Sequence, residues 1–431
     1  MSAAVAGAVF VAGYAAIASE RFDRVKVVLV AAGVLLALRV LDLHDAFYTE
    51  AVGVDWNVIF LLLGMMVIVN SVQYTGLFDY LAVYAMRLTR GQPYPLLTGL
   101  VVVTAVASAL VDNVTTVLLV APLVLSITRE LHLPAVPYLL SLVFASNIGG
   151  AATLIGDPPN IIIGSKAGLS YVDFLVNLAP LVVVLIFAFL LAARFIFGPL
   201  PHRAELHARA GEMAAATARD KLTDPTLLRW TLGVLSLVTV VFALHGVLHY
   251  EPAIVALLGA GIILLVARKP ADLLRHVEWG TLAFFAGLFI MVGALVKVGI
   301  VGSIAAWLAD LIDGRLLLGC LLLLAVSAVL SALVDNIPYV ATMAPIVAAL
   351  AADLPSGTDG TPLWWSLALG ADLGGNATPV GASANLIVLA ITARHGHHIS
   401  FGKFTRYGIT VTVLTLALSA VYIYARYFLL A

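Results

Sequence analysis

Two acid–amide pairs stand inside apolar stretches of this chain. Asp112-Asn113 lies within Leu110-Val111-Asp112-Asn113-Val114-Thr115-Thr116, and Asp335-Asn336 within Leu333-Val334-Asp335-Asn336-Ile337-Pro338-Tyr339. Each is followed by an Ala-Pro step, Ala121-Pro122 and Ala344-Pro345. The two aspartates are 223 positions apart (335 − 112). A carboxylate among apolar residues is costly unless it faces a polar cavity or a partner, so each pair is a candidate proton- or cation-coupling site. Burial favours the neutral acid and nearby donors favour the anion, so such a group can load and release a proton. The simpler role is a cap that accepts backbone N–H bonds at a turn. Both roles are open to Asp112 and Asp335.

A second pair of stretches interrupts the apolar pattern. One carries Asn147, Gly149, Gly150, Thr153, Asp157, Pro158, Pro159 and Asn160. The other carries Asp372, Gly374, Gly375, Asn376, Thr378, Pro379, Ser383 and Asn385. Consecutive prolines remove two donors and clash with the preceding turn, so a helix must break there. Free half-helix ends then offer N–H groups to anions or hydroxyls and carbonyls to cations. With Asn113, Thr115 and Asn336, these residues form the candidate substrate- or ion-binding set. Asp157 and Asp372 occupy non-equivalent places in the two stretches. Gly and Asn in membrane helices also serve packing and interhelical bonds, but two matching clusters favour a binding site.

The elements that must position these residues are membrane helices. The chain of 431 residues is 62% hydrophobic and 11% charged, against about 25% charged in soluble domains. Its apolar runs are long and punctuated by Gly, which points to helices. A net charge of −1 suggests no nucleic-acid partner. One cysteine, Cys320, gives no disulfide framework and no multi-thiolate metal site. The chain carries no nucleophile–base pair, HExxH or GxxxxGK[ST] motif, so the reading is not an enzyme and needs no cofactor. ATP coupling would require a separate ATPase subunit. The apolar N-terminal segment lacks a basic leader and reads as a retained helix.

The chain repeats itself. Asp55-Trp56 matches Glu278-Trp279, and the 146–160 stretch matches 371–385. We expect a first repeat over 1–198, a cytoplasmic linker over 199–228 and a second repeat over 229–431. Segments 77–89 and 299–312 are short for spans and read as interfacial. Segments 94–128 and 315–353 read as re-entrant hairpins with tips at 112–113 and 335–336. The 42–55 segment reads as a loop, and 174–198 as one crossing. Lys and Arg clusters, Arg24 among them, mark the cytoplasmic side. Five crossings per half then invert the second repeat and place both termini outside. Lys297 reads as a snorkelling end residue. The fold class expected is an all-α polytopic membrane protein of two inverted-topology repeats, each with a re-entrant helical hairpin and an unwound helix. That pattern points to a secondary transporter with its site between the repeats.

The hairpin tips, together with "SNIGGAATLIGDPPN" from Ser146 and "GGNATPVGASAN" from Gly374, resemble the ArsB/NhaD transporters of the ion transporter superfamily. The likeness is closest to the P-protein permease branch and extends to arsenical pump membrane proteins. It implies the inverted-repeat fold, an inner-membrane location and a homodimer. In the dicarboxylate branch, Ser stands where Asp112 and Asp335 stand here, and two carboxylates repel a dianion. The expected activity is proton-coupled efflux of arsenite or antimonite, which are uncharged hydroxides at neutral pH. Na+/H+ antiport of the NhaD type is the alternative, and an anion transporter or channel a further one.

Overall fold

The computed structural model describes residues 2–430 except 20, 50, 51, 91, 201–223, 245–247, 249, 313, 356 and 397. Most of the expected 199–228 linker therefore lies outside the described residues. All regular structure among the described residues is helical. Among the described residues, eight helices are long and apolar enough to cross a membrane by length and composition.

The first half runs α1 (Ser2–Ala18), α2 (Arg24–Ala37), α3 (Leu43–Tyr48), α4 (Trp56–Thr75), α5 (Leu77–Leu88), α6 (Pro93–Leu110), α7 (Asn113–Glu130), α8 (Ala135–Gly150), α9 (Pro158–Ala167), α10 (Tyr171–Asn177) and α11 (Ala179–Ile196). The second runs α12 (Pro225–Ala243), α13 (Pro252–Val266), α14 (Pro270–Arg275), α15 (Trp279–Lys297), α16 (Ile300–Ile312), α17 (Leu316–Leu333), α18 (Asn336–Ala352), α19 (Thr361–Gly374), α20 (Ser383–Arg394) and α21 (Phe401–Tyr424). The order repeats, with α10 lacking a counterpart. Packing is reciprocal too: α4 lies on α13 and α2 on α15, while α9 lies on α18 and α20 on α7. Each half thus lends helices to the other, as two copies of an inverted-topology repeat do.

Two expectations need correction. The 42–55 segment contains α3, because Asp42 caps it by accepting from the Asp45 N–H at 2.7 Å. Its repeat partner is α14, and the Trp beginning the next helix donates back in each half. Trp56 Nε1 reaches the Phe47 carbonyl at 2.8 Å, and Trp279 Nε1 the Leu274 carbonyl at 3.1 Å. The 174–198 segment is two helices, with Leu178 between them and Pro180 opening the second. Helix α12 starts at Pro225, where the Asp224 side chain accepts from two backbone N–H groups.

Lys297 does not snorkel freely. It donates to Asp45, and that hydrogen bond holds the Asp45 carboxyl below its ordinary range. A lowered folded value adds stability above the unfolded carboxylate range, and loses it as pH falls through the lowered value. The pair lies at the surface, where such bridges contribute little. Asp45→Asn is therefore expected to lower the melting temperature slightly at neutral pH and not at all in strong acid. Thermal unfolding at both pH values checks this.

Candidate functional site

The hairpin tips are built by capping. In α7 the Asp112 side chain accepts from the Thr115 N–H at 2.8 Å and from the Thr115 hydroxyl at 2.7 Å. In α18 the Asp335 side chain accepts from the Ile337 N–H at 3.1 Å. Position 338 is proline and offers no hydroxyl, so Asp335 takes one from Ser383 at 2.5 Å instead. Pro122 and Pro345 sit inside the outgoing helices, each removing one ladder bond.

The two helix breaks are held by the same bonds in both halves. Ser108 Oγ donates to the Ser146 carbonyl and Ser331 Oγ to the Ala371 carbonyl, both at 2.7 Å. The Thr153 hydroxyl reaches the Ala109 carbonyl, and that of Thr378 the Ala332 carbonyl, both at 2.5 Å. Asn160 Nδ2 spans the first break to the Gly150 and Thr153 carbonyls at 3.3 and 3.1 Å. Asn385 Nδ2 spans the second to those of Gly375 and Thr378 at 2.7 and 2.8 Å. Gly149 and Gly374 press against the backbone of Ala105 and Ala328, and Gly150 and Gly375 against Gly156 and Gly381. The glycines serve close backbone approach, and Thr153 and Thr378 hold the breaks to the hairpins.

These bonds bring the remaining candidates together. Asp157 is the hub: Asn113 Nδ2 of one tip donates to it at 2.7 Å, and Asn336 Nδ2 of the other at 3.3 Å. Asn113 Nδ2 also reaches Asn147 Oδ1 at 3.3 Å. Asn147 Nδ2 crosses to Asn376 Oδ1 and Asn385 Oδ1 in the other half, each at 3.0 Å. Asp157 lies in the field of Asp372, Asp335 and Asp112. Asp372 is fully buried. Among the described residues neither of its carboxylate oxygens lies in good hydrogen-bond geometry with a donor, and the nearest amide is that of Asn160. Asn113 Oδ1 and Asn160 Oδ1 are likewise buried without a donor. The arms of each hairpin thus run to a shared centre, where, among the described residues, these four unpaired acceptor oxygens stand against one unpaired amide donor, Asn376 Nδ2. A buried orphan acceptor costs about 1–3 kcal/mol, more if charged.

Two residues with no place in the candidate set join the site. Arg24, at the start of α2, donates from Nη1 to Asp335 Oδ2 at 3.0 Å and to Ser383 Oγ at 2.6 Å. Its guanidinium also stacks 5.3 Å from the Phe284 ring centroid. Read from the sequence it is a topology-setting charge; in the fold it neutralises a hairpin-tip acid. Glu278, noticed only as a repeat marker, lines a small cavity of ≈ 30 Å³ with Arg24, Asp112, Ser383, Met65 and Met66. Its sequence position just before a span was the one available signal.

Comparison with known proteins agrees with this architecture. A family model described as "Citrate transporter" matches residues 14–370. An uncharacterized transporter of Mycobacterium tuberculosis is 47% identical over 427 residues, covering 99% of this chain and 99% of that one. A "46 kDa membrane protein" of Mycobacterium leprae is 46% identical over 429 residues, again covering 99% of each. The P protein of Homo sapiens is 31% identical over 466 residues, covering 90% of this chain and 56% of that protein. Among solved structures, the YdaH transporter of Alcanivorax borkumensis, described as having an unusual topology, superposes with a TM-score of 0.51. It is 14% identical and covers 84% of each chain.

Proposed function

The chain belongs to the citrate transporter family, and we propose that it is a proton-coupled secondary transporter whose exchanged solute is a small cation, sodium first. The observation that carries this is the excess of buried oxygen acceptors at the centre: both Asp372 oxygens, Asn113 Oδ1 and Asn160 Oδ1. Hard oxygen ligands suit a proton or a hard cation. Protons leaving Asp157 and Asp372 would make room for the cation, and alternating access would expose the centre to each side in turn. The acids that crowd Asp157 oppose a free anion such as citrate, so anion transport and an anion channel fit less well.

Arsenite or antimonite efflux is the second reading. What favours it is the convergence of Asn113, Asn147, Asn336, Asn376 and Asn385, neutral groups suited to a metalloid hydroxide. In this conformation those amides bond one another and Asp157, which is why the cation comes first. Thermal unfolding of the purified protein with Na+, Li+, As(III), Sb(III) or citrate separates the readings. Stabilisation by Na+ and Li+ is expected, and stabilisation by As(III) or citrate alone would overturn the cation reading.

The proposal extends to an inner-membrane homodimer with both termini outside and the 199–228 linker cytoplasmic. Cys substituted at Asp359 is expected to react with an impermeant maleimide from outside, and Cys at Lys221 only after permeabilisation. Labelling of both from one side would overturn this orientation.

A further inference from the structure

The two hairpin-tip acids are equivalent by repeat but not by partner. Asp112 accepts from Thr115, through one N–H and one hydroxyl. Asp335 has one N–H, the Ser383 hydroxyl and the Arg24 guanidinium. The hydroxyl partners differ for a plain reason. Pro338 stands where Thr115 stands, and Pro158 stands where Ser383 stands, so neither half can reproduce the other's bond. Arg24 pairs with Asp335, and among the described residues no basic side chain forms a salt bridge with Asp112, although Arg24, Asp112 and Glu278 line one small cavity. Arg24 reaches Asp335 across 311 positions, from a helix outside the hairpin and outside the break.

We propose that Arg24 is a tethered counter-cation that fills, at the second-half tip, the role a mobile cation or proton would otherwise take. The first-half tip must take its positive charge from solution, whereas the second carries its own. The exchange cycle therefore moves one cation equivalent fewer than the twofold design would. Arg24 acts through Asp335 and Ser383 and is a positioning residue. This inference rests on the cation-exchange reading above. The other titratable groups facing this tip are Tyr14, whose hydroxyl donates to the Pro338 carbonyl, and Asp157, bonded by the neighbouring Asn336. Glu278 shares the cavity that Arg24 and Ser383 line.

The test is the initial rate of exchange in proteoliposomes, measured against Na+ at fixed pH and against pH at fixed Na+. In Arg24→Gln one of the two dependences is expected to steepen, its Hill coefficient rising above the wild-type value, since the upper limit set by the number of sites has risen. Arg24→Lys should keep the wild-type slopes. A structural role alone would lower the rate and leave both slopes unchanged in Arg24→Gln, and that result overturns the inference. If Arg24→Gln is folded but inactive, restoration of exchange by raised Na+ or by added guanidinium supports the inference, and failure of both overturns it. Absence of any exchange in the wild type would instead sink the transport reading itself.

Discussion

Asp157→Asn is expected to abolish proton-coupled exchange, leaving the flux at the level of protein-free liposomes, while the protein stays folded. The carboxylate is nearly fully buried and receives an amide from each hairpin tip. Asparagine keeps the size and one acceptor oxygen, so the bonds from Asn113 and Asn336 can be partly rebuilt. The titratable group is lost. Removing one negative charge also relieves the field of Asp372, Asp335 and Asp112, and replacing a buried charge with a neutral isostere is often neutral or stabilising. The expected signature is therefore a melting temperature equal to or above wild type, together with absent exchange. Full exchange in a folded Asp157→Asn protein would remove Asp157 from the mechanism.

Gly149→Ala and Gly374→Ala are expected to be severely destabilising, and by similar amounts. A methyl at Gly149 would lie 2.4 Å from the Ala105 carbonyl oxygen, and one at Gly374 would lie 2.5 Å from Ala328 Cα. In an open helix Gly→Ala gains about 1 kcal/mol of helix propensity. Here the obstacle is backbone, which cannot rotate away, and overpacking of this kind costs about 1–3 kcal/mol or more. The clash therefore wins, and it acts where the break meets the hairpin. Gly33, in α2, has nothing within 4 Å of the added methyl, so Gly33→Ala is the matched control and should be neutral or slightly stabilising. Thermal unfolding of the three variants in detergent checks both signs. Equal stability for all three would mean that the hairpin and the break do not pack this closely.

The tips and breaks were legible because their residues are rare inside apolar segments and occur twice. An Asp-Asn pair in each half, and prolines beside Gly, Thr and Asn in each break, are out of place in an ordinary membrane helix, so local chemistry alone located them. The capping roles of Asp112 and Asp335 follow from the same logic. The division of labour inside the breaks was not legible. Gly149, Thr153 and Asn160 read together as ligands, yet their bonds run to backbone that only the folded hairpin supplies. Asp157 and Asp372 look alike in sequence, and only tertiary packing gives the first its amides and leaves the second without a partner. The contact of Arg24 with Asp335 was not legible for a related reason. A basic residue at a helix start is an ordinary topology signal, and nothing near it in sequence reveals an acid that arrives from the other half.

The central claim is that the Asp157–Asp372 centre couples proton movement to a small cation. The most direct measurement is 22Na+ uptake by proteoliposomes at equal Na+ on both sides, with an imposed pH gradient. The account predicts uphill Na+ accumulation that collapses with a protonophore and is absent in Asp157→Asn. Sodium flux that ignores the pH gradient, or no sodium flux beside robust As(III) or citrate transport, would contradict it.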